Sequence, residues 1–402
     1  MGSIRDRVAI VGMGCTKFGN NWDMSANDMM VDAAFEALED SSIEIKDLEA
    51  AWFSSFFCPP GLTGQSLAKA LKLPFLPVTR VENACASGTD ALRNASYAVA
   101  SGVYDIVLVL GVEKLKDNGL QGLPDAEMWL NMWGSHDNTY RCTTASGPAQ
   151  FAQMATSYFS KYGIDSKEGK KMLAVIESTN HHNGTLTPKA QFQYEVSVEK
   201  IIKAPMIAAP LGLYDCCGIS DGAAAAIVVP ADKAKEFRSD PIYIKALQIA
   251  VGPCDGLMNP SYDYAHVEET TRAAAAAYRE ADIKNPREEV SIANVHDCFS
   301  ITQLVTMEDL QFSPRGKAGE DVMSGFFSLD GGLPVNTDGG LKCFGHPIGA
   351  SGIRMMYEMY KQLQGKADKR QVKDVSVGLT HNLGGIPGSA SVSVGIVSKE
   401  LG

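Results

Sequence analysis

Apolar runs alternate with amphipathic stretches along most of the chain. Residues 7–14 (RVAIVGMG) and 103–113 (VYDIVLVLGVE) are mostly apolar over short lengths, which is typical of strands buried on both faces. Residues 89–101 carry apolar side chains at helical spacing and end before Gly102, which predicts a helix just ahead of the second strand. Strands that alternate with helices favour an α/β protein with layered, mainly parallel or mixed sheets.

The second half of the chain repeats the first in outline. The tetrapeptide CASG at residues 85–88, followed by a helix, a glycine and a strand, recurs as GASG at residues 349–352 with the same order of elements. A shared order of elements around a short match predicts an internal duplication. We therefore predict an N-terminal half over residues 1–238, with a loop-rich insertion at about 117–212, and a C-terminal half over residues 239–402.

Composition narrows the class of protein. The chain has 402 residues, 45% of them apolar and 21% charged, with a net charge of -11, which argues against a general nucleic-acid binder or a basic membrane-surface protein. No apolar run reaches the length of a membrane span, and the first residues read as a strand and not as a signal peptide. The nine cysteines lack metal-site spacing, which predicts a reducing, cytoplasmic location and no metal site.

One cysteine lies in a patch of small residues at a predicted turn. Cys85 is flanked by Ala84, Ala86, Ser87 and Gly88, between a strand-like run and the first turn of a helix. The free N–H groups of a helix start lower the pKa of a thiol and favour its reactive thiolate. Small neighbours also let a substrate carbonyl approach the sulfur together with backbone amides. Most cysteines act only as small buried hydrophobes, so position alone does not make Cys85 catalytic.

Three polar stretches in the second half stand at predicted strand or helix ends. They are NVHDCFSI at residues 294–301, GHPIGASG at residues 345–352 and HNLGGIPGSA at residues 381–390. The last of them is predicted as a glycine-rich turn before an alternating strand. Catalytic groups of layered α/β proteins gather at such ends, so the three stretches are candidates for one site.

These motifs, in this order, resemble the thiolase superfamily. NACASG, HDCF, GHPIGASG and HNLGG match it along essentially the whole chain, and the sterol-carrier-protein type with its bacterial and archaeal relatives is the most similar subgroup in pattern. The resemblance implies the thiolase fold, with duplicated βαβαβαββ halves in αβαβα layers and an inserted loop domain. It also implies acyl-CoA substrates, coenzyme A as co-substrate, and neither a permanently bound cofactor nor a metal.

The resemblance assigns roles to four side chains. Cys85 would attack the carbonyl carbon of a β-keto thioester, and His346 of GHP would take up the thiol proton. His296 of HDCF would donate a hydrogen bond to the oxygen of the departing enolate. Cys298 would serve as the second acid/base. The backbone N–H groups of Cys85 and Gly384 would hold the tetrahedral oxyanion.

One position departs from the commoner family pattern. Most thiolases carry the second acid/base in a final Cys-x-Gly motif, whereas this chain has Asn382 there. Cys298 is the natural substitute, with a buried hydrophobe as the alternative interpretation. Asn382 and His182 are weaker candidates for substrate contact, because residues 180–183 also read as a polar loop. The remaining alternatives are core packing for His296, a loop-orienting role for His381, and packing roles for Cys216 and Cys217.

Two stretches bear on the acyl group. Residues 52–57 (WFSSFF) and 127–134 (EMWLNMWG) concentrate bulky side chains, which suit a bulky or aromatic acyl group, such as that of 2-benzoylsuccinyl-CoA, better than acetyl. A place in the core or in a dimer interface is the alternative. The resemblance further implies a homodimer or larger assembly and, as in several relatives, a separate small zinc-bearing OB-fold partner.

The leading hypothesis is a thiolase that cleaves or forms a β-ketoacyl-CoA through an acyl-cysteine intermediate. The alternatives are an acetyl-CoA C-acetyltransferase for short chains, a retro-aldol lyase of the sterol side-chain type, and a non-catalytic scaffold subunit that binds acyl-CoA. Cys85 argues against the lyase, because such lyases lack the nucleophilic cysteine. The full set of motifs argues against the scaffold.

Overall fold

Strands and helices alternate through both halves of the chain. The computed structural model describes residues 2–57, 61, 63–118, 146–253, 256 and 259–402. The strands are β1 (Val8–Cys15), β2 (Ala50–Ser54), β3 (Val78–Val81), β4 (Val107–Lys114), β5 (Met206–Ala208), β6 (Leu211–Gly212), β7 (Asp221–Pro230), β8 (Ile242–Val251), β9 (Ile292–Asn294), β10 (Val377–Ile386) and β11 (Ser389–Ser398).

The helices complete this alternation. They are α1 (Ala26–Ser41), α2 (Gln65–Leu71), α3 (Ser87–Ala100), α4 (Gly147–Tyr162), α5 (Ser166–Thr185), α6 (Val198–Ile202), α7 (Ala234–Phe237), α8 (Glu268–Ala281), α9 (Pro286–Glu289), α10 (Ser300–Asp309), α11 (Ala318–Met323), α12 (Gly340–Cys343) and α13 (Ile348–Leu363). Among the described residues, no helix is both long enough and apolar enough to cross a membrane.

Local sequence accounts for where these elements begin and what they bury. Every position of β1 is buried, as its apolar run predicts. Helix α1 begins after Ser25, whose hydroxyl accepts the N–H of Asp28 at 3.2 Å while the Asp28 carboxylate accepts the N–H of Ser25 at 2.8 Å. This reciprocal pair satisfies two of the four N–H groups that a helix start leaves without partners.

The order of the strands displays the duplication. Nine strands form one sheet in the order β3-β2-β4-β7-β1-β8-β11-β10-β9. Outward from the centre, the first half contributes β1, β7, β4, β2 and β3, and the second half contributes β8, β11, β10 and β9 in the equivalent order. In both halves the outer strands pair in parallel and the inner strands pair antiparallel. The halves join where β1 pairs with β8 through Ala9–Tyr243 and Ile10–Ile242. The predicted boundary at residue 238 falls between β7 and β8, and the division into two domains stays a prediction.

The second half carries a reduced version of the third strand. Where β3 pairs with β2 over four residues, the equivalent place beside β9 holds an isolated bridge between Ala293 and Val335. The expected βαβαβαββ order is thus present in the first half, while the second half replaces one strand by a single bridging residue. The chain around Val335 instead supplies loops that pass close to the site described below.

The helices cover both faces of the strands, which arranges the protein in five layers. Helix α1 packs on the outer face of β1, β4 and β7, and α8 packs on the outer face of β8 and β11. Helices α3 and α13 contact each other and strands of both halves, and their apolar side chains form one buried cluster between the two groups of strands. The αβαβα thiolase fold predicted from the resemblance is therefore confirmed.

The two central helices meet backbone to backbone at their first turns. A Cβ atom on Gly88 would lie 3.0 Å from the carbonyl oxygen of Gly349, and one on Gly352 would lie 2.5 Å from the backbone nitrogen of Thr89. Real Cβ atoms essentially never lie within 3.0 Å of another heavy atom, so glycine is required at position 352 for the close approach. At position 88 a Cβ would fit only if its neighbours moved by a few tenths of an ångström. The repeated CASG and GASG motifs are therefore the crossing point of the duplicated helices.

The stretch HNLGGIPGSA is not a turn along its whole length. Residues 381–386 continue β10, which pairs with β11 from Val377–Ser398 to Ile386–Ser389, and only Pro387 and Gly388 form the connection. Glycine-rich composition predicted a turn, but the partner strand keeps the chain extended. The glycines serve instead to let this strand lie against the turn that carries Cys85.

The helix crossing makes a prediction for stability. A glycine-to-alanine change inside a helix normally stabilises it by up to about 1 kcal/mol. We expect Gly352→Ala to lower the free energy of unfolding by roughly 1–3 kcal/mol instead, because its Cβ would overlap the backbone of Thr89. Urea unfolding curves measure this change, and Ser101→Ala at the exposed end of α3 is the control, expected within about 0.5 kcal/mol of wild type. A stabilised Gly352→Ala protein would contradict the close crossing.

Candidate active site

A tight turn between β3 and α3 presents Cys85. Ala84 has left-handed backbone angles, with φ of 51°, which redirect the chain just before the cysteine. Ser87 ties the turn together, because its hydroxyl donates to the carbonyl of Ala84 at 2.6 Å and accepts from the N–H of Asn83 at 2.8 Å. The small residues seen in the sequence build this turn and leave Cys85 partly exposed.

His346 lies against the thiol with its tautomer determined by its neighbours. Its Nε2 is 3.2 Å from Sγ of Cys85, and its Nδ1 is 2.7 Å from Oγ of Ser351. The Ser351 hydroxyl donates to the carbonyl of Pro347 at 2.9 Å, so its oxygen accepts from Nδ1–H of His346. With the proton on Nδ1, the lone pair of Nε2 faces the thiol and is free to accept its proton.

His296 completes a cluster around the sulfur. Its ring stands nearly perpendicular to that of His346, with centroids 5.2 Å apart, and only 1% of the residue is exposed. One ligand atom each from Cys85, His296 and His346 lies within 4.8 Å of the others, so this group could hold a metal ion. His381 accepts the backbone N–H of His296 at 3.4 Å and contacts Thr270 with its other ring nitrogen at 3.1 Å, so it orients the HDCF segment.

Cys298 is buried beside a second cysteine. Its Sγ is 3.7 Å from Oγ1 of Thr302, and the residue is 8% exposed. An antiparallel bridge between Cys216 and Phe299 sets Cys217 opposite Cys298, and the N–H of Cys217 donates to the carbonyl of Cys298 at 2.9 Å. Directly opposed residues project to the same face of a ladder, so the thiols of Cys217 and Cys298 are neighbours.

Burial reverses the expected effect of the helix start on Cys85. Although the residue is partly exposed, the loss of bulk water around its sulfur raises the pKa of the thiol to about 12, and the negative charges of Glu82 and Glu113 add to this. The N–H groups of Cys85 and Gly385 act in the opposite direction but are outweighed. The prediction of a lowered thiol pKa is therefore wrong, because desolvation penalises the thiolate more than two amides stabilise it.

The imidazoles are neutral for the same reason. Burial, with a smaller contribution from Arg354, lowers the pKa of His346 to about 3. Burial and then the neighbouring His346 lower the pKa of His296 well below its usual range. At neutral pH the resting site therefore contains a thiol facing a neutral base, and charge separates only when the proton moves from Cys85 to His346.

Two backbone amides face the sulfur of Cys85, whereas the predicted pair of Cys85 and Gly384 concerns the oxyanion of a bound intermediate and stays a prediction. The N–H groups acting on the Cys85 sulfur are those of Cys85 itself and of Gly385. Gly384 is adjacent, because a Cβ on it would lie 2.8 Å from the backbone nitrogen of Cys85. Gly384 thus permits the close approach of β10, while the amide of Gly385 supplies the donor beside the sulfur.

A cavity of about 440 Å³ opens beside His346. Cys217 contributes to its wall, and Lys342 supplies a cation whose Nζ donates to the carbonyl of Cys216 at 2.6 Å. Aromatic side chains make up much of the remaining lining, namely Phe57, Phe192, Tyr194, Tyr214 and Phe299. A largely apolar cavity with a few polar groups at one end is typical of a site for a small molecule.

The predicted aromatic walls are only partly in place. Trp52 and Phe53 are buried in β2 and belong to the core, because every position of that strand is covered. Phe57 lines the cavity, so the end of this stretch does reach the site. The other aromatic stretch, residues 127–134, lies outside the described residues.

Two weaker site candidates lie elsewhere. Asn382 is fully buried, its Oδ1 accepting from Oγ1 of Thr89 at 3.0 Å and its Nδ2 donating to the sulfur of Met355, so it joins the central helices and does not line the cavity. His182 is exposed on α5, where its Nδ1 lies 2.8 Å from the carboxylate of Glu195. The polar loop predicted around His182 is wrong, because these residues form the last turns of a helix.

Three residues of the site were not predicted to act there. Cys217 was assigned to packing, and nothing in the sequence marks its pairing with Cys298, which depends on a bridge between distant segments. Ser351 was visible within the GASG repeat, five residues after His346 and on the first turn of α13. Glu113 follows an apolar strand, and burial raises its pKa to about 7 although it accepts the N–H of Gly349 at 3.3 Å.

The fold and the site together define an enzyme that transfers acyl groups. A duplicated α/β fold places a thiol, two imidazoles and backbone amides at the meeting point of its central helices, which is suited to acyl transfer. The chain belongs to the thiolase family, since residues 8–232 match the model of the thiolase N-terminal domain and residues 258–396 match that of the thiolase C-terminal domain-like family. The resemblance and the assignment to acyltransferases are confirmed.

Named relatives extend along nearly the whole chain. It is 38% identical over 391 residues to the acetyl-CoA acetyltransferase of Methanothermobacter thermautotrophicus, with 96% of this chain and 98% of the relative covered. It is 30% identical over 382 residues to the benzoylsuccinyl-CoA thiolase subunit BbsB of Thauera aromatica, with 94% and 95% covered. The solved structure of an Ltp2-ChsH2(DUF35) aldolase superposes with a TM-score of 0.82 at 22% identity, covering 99% of this chain and 100% of that one, which supports the fold alone.

The raised pKa of the Cys85 thiol leads to a prediction for its alkylation. If the pKa of Cys85 is raised to about 12, the thiolate fraction grows tenfold with each pH unit throughout the neutral range. We expect the rate of Cys85 alkylation by iodoacetamide, followed by peptide mass spectrometry, to rise steadily from pH 6 to pH 9 without a plateau. His346→Ala should slow the reaction at every pH, because the thiol loses its proton acceptor. A plateau near pH 7 in wild type would show that a thiolate exists at rest.

Proposed function

We propose that the protein is a thiolase that transfers an acyl group between a β-ketoacyl-CoA and coenzyme A through an acyl-Cys85 intermediate. The observation that carries this proposal is the contact of 3.2 Å between Nε2 of His346 and Sγ of Cys85, with the opposite ring nitrogen held by Ser351. A neutral cysteine can attack a carbonyl carbon only if a base accepts its thiol proton, and the lone pair of His346 faces that thiol.

The first half-reaction breaks a carbon–carbon bond. Sγ of Cys85 attacks the β-keto carbon while its proton passes to Nε2 of His346, so the nucleophile becomes anionic only as the sulfur–carbon bond forms. The amides of Cys85 and Gly385, or of the adjacent Gly384, donate to the oxyanion of the tetrahedral intermediate. Collapse of this intermediate leaves the acyl group on Cys85 and the electron pair on the α-carbon of the departing thioester.

The departing group is an enolate that needs a donor and a proton. His296, buried next to His346, donates to the enolate oxygen, and its neutral imidazole retains the N–H that this requires. Cys298 gives its thiol proton to the α-carbon, which releases the shorter acyl-CoA. The side-chain amide of Asn382 is too weak an acid to protonate the α-carbon, and it is hydrogen-bonded to Thr89, which leaves the thiols beside His296 as the available acids.

The second half-reaction restores the enzyme. Coenzyme A gives its thiol proton to the Cys298 thiolate and attacks the acyl-Cys85 carbonyl. The new thioester forms, Cys85 leaves as a thiolate, and His346 returns the proton that it took at the start. Protons and electron pairs balance over the cycle, and no oxidant or reductant is consumed. Coenzyme A is therefore a co-substrate and not a bound cofactor.

The surroundings of the cavity offer a place for the nucleotide end of coenzyme A. Leu213 and Tyr214 belong both to the cavity wall and to a shallow groove on the adjoining surface. That groove carries two exposed lysines, Lys200 and Lys203, near the end of α6. Phosphates are attracted to such clustered ammonium groups, so we place the pantetheine arm in the cavity and the phosphates on these lysines.

Two candidate acyl groups follow from the cavity and from the relatives. The aromatic lining of the cavity and the similarity to a benzoylsuccinyl-CoA thiolase subunit support a bulky or aromatic acyl group. The similarity at 38% identity to an acetyl-CoA acetyltransferase supports a short-chain substrate as the second candidate. A retro-aldol lyase is disfavoured because Cys85 and its base are both in place, and the same pair disfavours a scaffold without activity.

The exposed surface near the cavity bears on the oligomeric state and on a partner subunit. Apolar side chains at least 45% exposed stand near the cavity mouth, among them Tyr194, Met206, Ile207 and Leu213. A patch of this kind is suited to contact with another chain. We propose a cytoplasmic homodimer or larger assembly. A small zinc-bearing OB-fold subunit is a further partner, which agrees with the naming of one relative as a subunit and of one structural neighbour as a complex with a DUF35 protein.

The acyl-enzyme is the direct test. After incubation with acetoacetyl-CoA or with 2-benzoylsuccinyl-CoA, we expect the intact mass to increase by the corresponding acyl group, with the adduct on the Cys85 peptide. Cys85→Ser should carry no adduct and lose thiolysis by more than roughly a thousandfold, since an alkoxide is far harder to form than a thiolate. Cys216→Ser, which changes a cavity cysteine outside the proposed chemistry, is the matched control and should keep the adduct. An unmodified wild-type protein with every thioester, alone and with its partner subunit, would favour the lyase or the scaffold.

The second acid/base has its own test. We expect Cys298→Ala to acylate Cys85 normally but to lose exchange of the α-proton of the short acyl-CoA with solvent deuterium, by roughly 100-fold or more. NMR of the acyl-CoA measures the exchange. Cys217→Ser is the informative comparison, because its thiol opposes Cys298 and lines the cavity. Full exchange in Cys298→Ala together with loss in Cys217→Ser would transfer the role to Cys217.

A further inference from the structure

The groups around the Cys85 sulfur form a set of soft metal ligands. One ligand atom each from Cys85, His296 and His346 lies within 4.8 Å of the other two. Thiolate and imidazole groups are both ligands that Zn²⁺ takes in proteins, and open zinc sites use three protein ligands and leave a fourth position free. No ligand spacing in the sequence pointed to this group, because its members are brought together from residues 85, 296 and 346.

His346 already has the orientation of a metal-binding histidine. Such histidines donate their second ring N–H to an oxygen acceptor, which fixes the tautomer and directs the lone pair of the other nitrogen. Nδ1–H of His346 donates to Oγ of Ser351, and this oxygen is held in turn by the carbonyl of Pro347. The lone pair of Nε2 therefore faces Sγ of Cys85 at 3.2 Å.

One of the three ligand–ligand distances is close to that of a tetrahedral zinc site. Bond lengths of 2.0–2.1 Å to nitrogen and 2.3 Å to sulfur place such ligand atoms roughly 3.3–3.6 Å apart. The Sγ–Nε2 distance of 3.2 Å is just below this range, and the ligand atom of His296 lies within 4.8 Å of both, so side-chain movement would draw the three atoms around one ion. His346 also lines the cavity, so the fourth position faces space for a water molecule or a substrate thiol.

We propose that Cys85, His296 and His346 bind one Zn²⁺ ion when Cys85 carries no acyl group, and that this ion inhibits the enzyme reversibly. A sulfur–zinc bond replaces the S–H bond and the thiol proton passes to solvent. The ring proton of His296 moves to its other nitrogen, so that a lone pair faces the ion, and no electron is transferred. Zinc then binds the sulfur of Cys85, the Nε2 lone pair of His346 and a ring nitrogen of His296, so none of the three can take part in the proposed reaction. Acylation and zinc binding exclude each other, since both use the Cys85 sulfur.

The inference does not depend on the acyl substrate or on turnover. A metal bound to a thiolate and two imidazoles can be detected on the protein alone, whereas the proposed function is tested by the acyl adduct in the absence of metal. A protein that binds the metal but is never acylated would refute the thiolase and leave the metal site standing. A protein that is acylated but binds no metal would do the reverse.

Cobalt serves as the spectroscopic probe, because Co²⁺ accepts the same ligand types and shows thiolate-to-metal charge-transfer absorption. We expect one equivalent of Co²⁺ to produce this band in the wild-type protein and one equivalent of Zn²⁺ to remove it. The band should be absent from Cys85→Ala, and His296→Ala and His346→Ala should each weaken binding by at least about tenfold. Zinc should also protect Cys85 of the wild type from iodoacetamide, and a chelator should restore labelling.

His182→Ala is the matched control, because His182 is an exposed histidine outside the cluster. It should bind Co²⁺ as wild type does and show the same protection by zinc. A charge-transfer band that persists in Cys85→Ala, or equal binding in wild type, His296→Ala and His346→Ala, would place the metal elsewhere and overturn the proposal. Undiminished labelling of wild-type Cys85 at saturating Zn²⁺ would overturn it as well.

Discussion

The contact on which the site depends is the crossing of the two central helices at Gly88 and Gly352. A Cβ atom has no room at Gly352 and would be tightly crowded at Gly88, because the first turns of α3 and α13 lie backbone against backbone. Cys85 is three residues before one glycine and His346 six residues before the other, so this crossing brings the proposed nucleophile and its proposed base together although 261 positions separate them. Each half of the duplication contributes one of the two, and neither half contains a complete pair.

Close packing at the crossing also sets the electrostatics. The same exclusion of water raises the pKa of Cys85 to about 12 and lowers that of His346 to about 3, so both are neutral at rest. A neutral pair is less costly to bury than a thiolate and an imidazolium, which would each lose their hydration. In the proposed mechanism, reactivity comes from His346, whose lone pair is already directed at the thiol and whose orientation Ser351 maintains.

The replacement of a family cysteine by Asn382 is accommodated by the same central layer. Asn382 forms hydrogen bonds with Thr89 of α3 and Met355 of α13, so its amide stabilises the helix crossing and does not line the cavity. The thiols of Cys298 and Cys217 lie next to each other, because an antiparallel bridge sets the two residues opposite one another. We propose these thiols as the source of the acid/base chemistry, while an amide beside the Cys85 sulfur comes from β10.

The sequence by itself determined the elements and the identity of the main groups. Apolar runs located β1 and β4, helical spacing located α3, and the ordered motifs around Cys85, His296 and His346 identified the family, because these signals are local. The tertiary structure alone decided the rest. The segment HNLGG is an extended strand because the neighbouring β11 pairs with it. Cys217 lies opposite Cys298 because a bridge joins two segments that are distant in sequence. The tertiary structure also reversed the predicted direction of the Cys85 pKa, since desolvation depends on how many distant atoms replace water around the sulfur, and no short stretch of sequence records that.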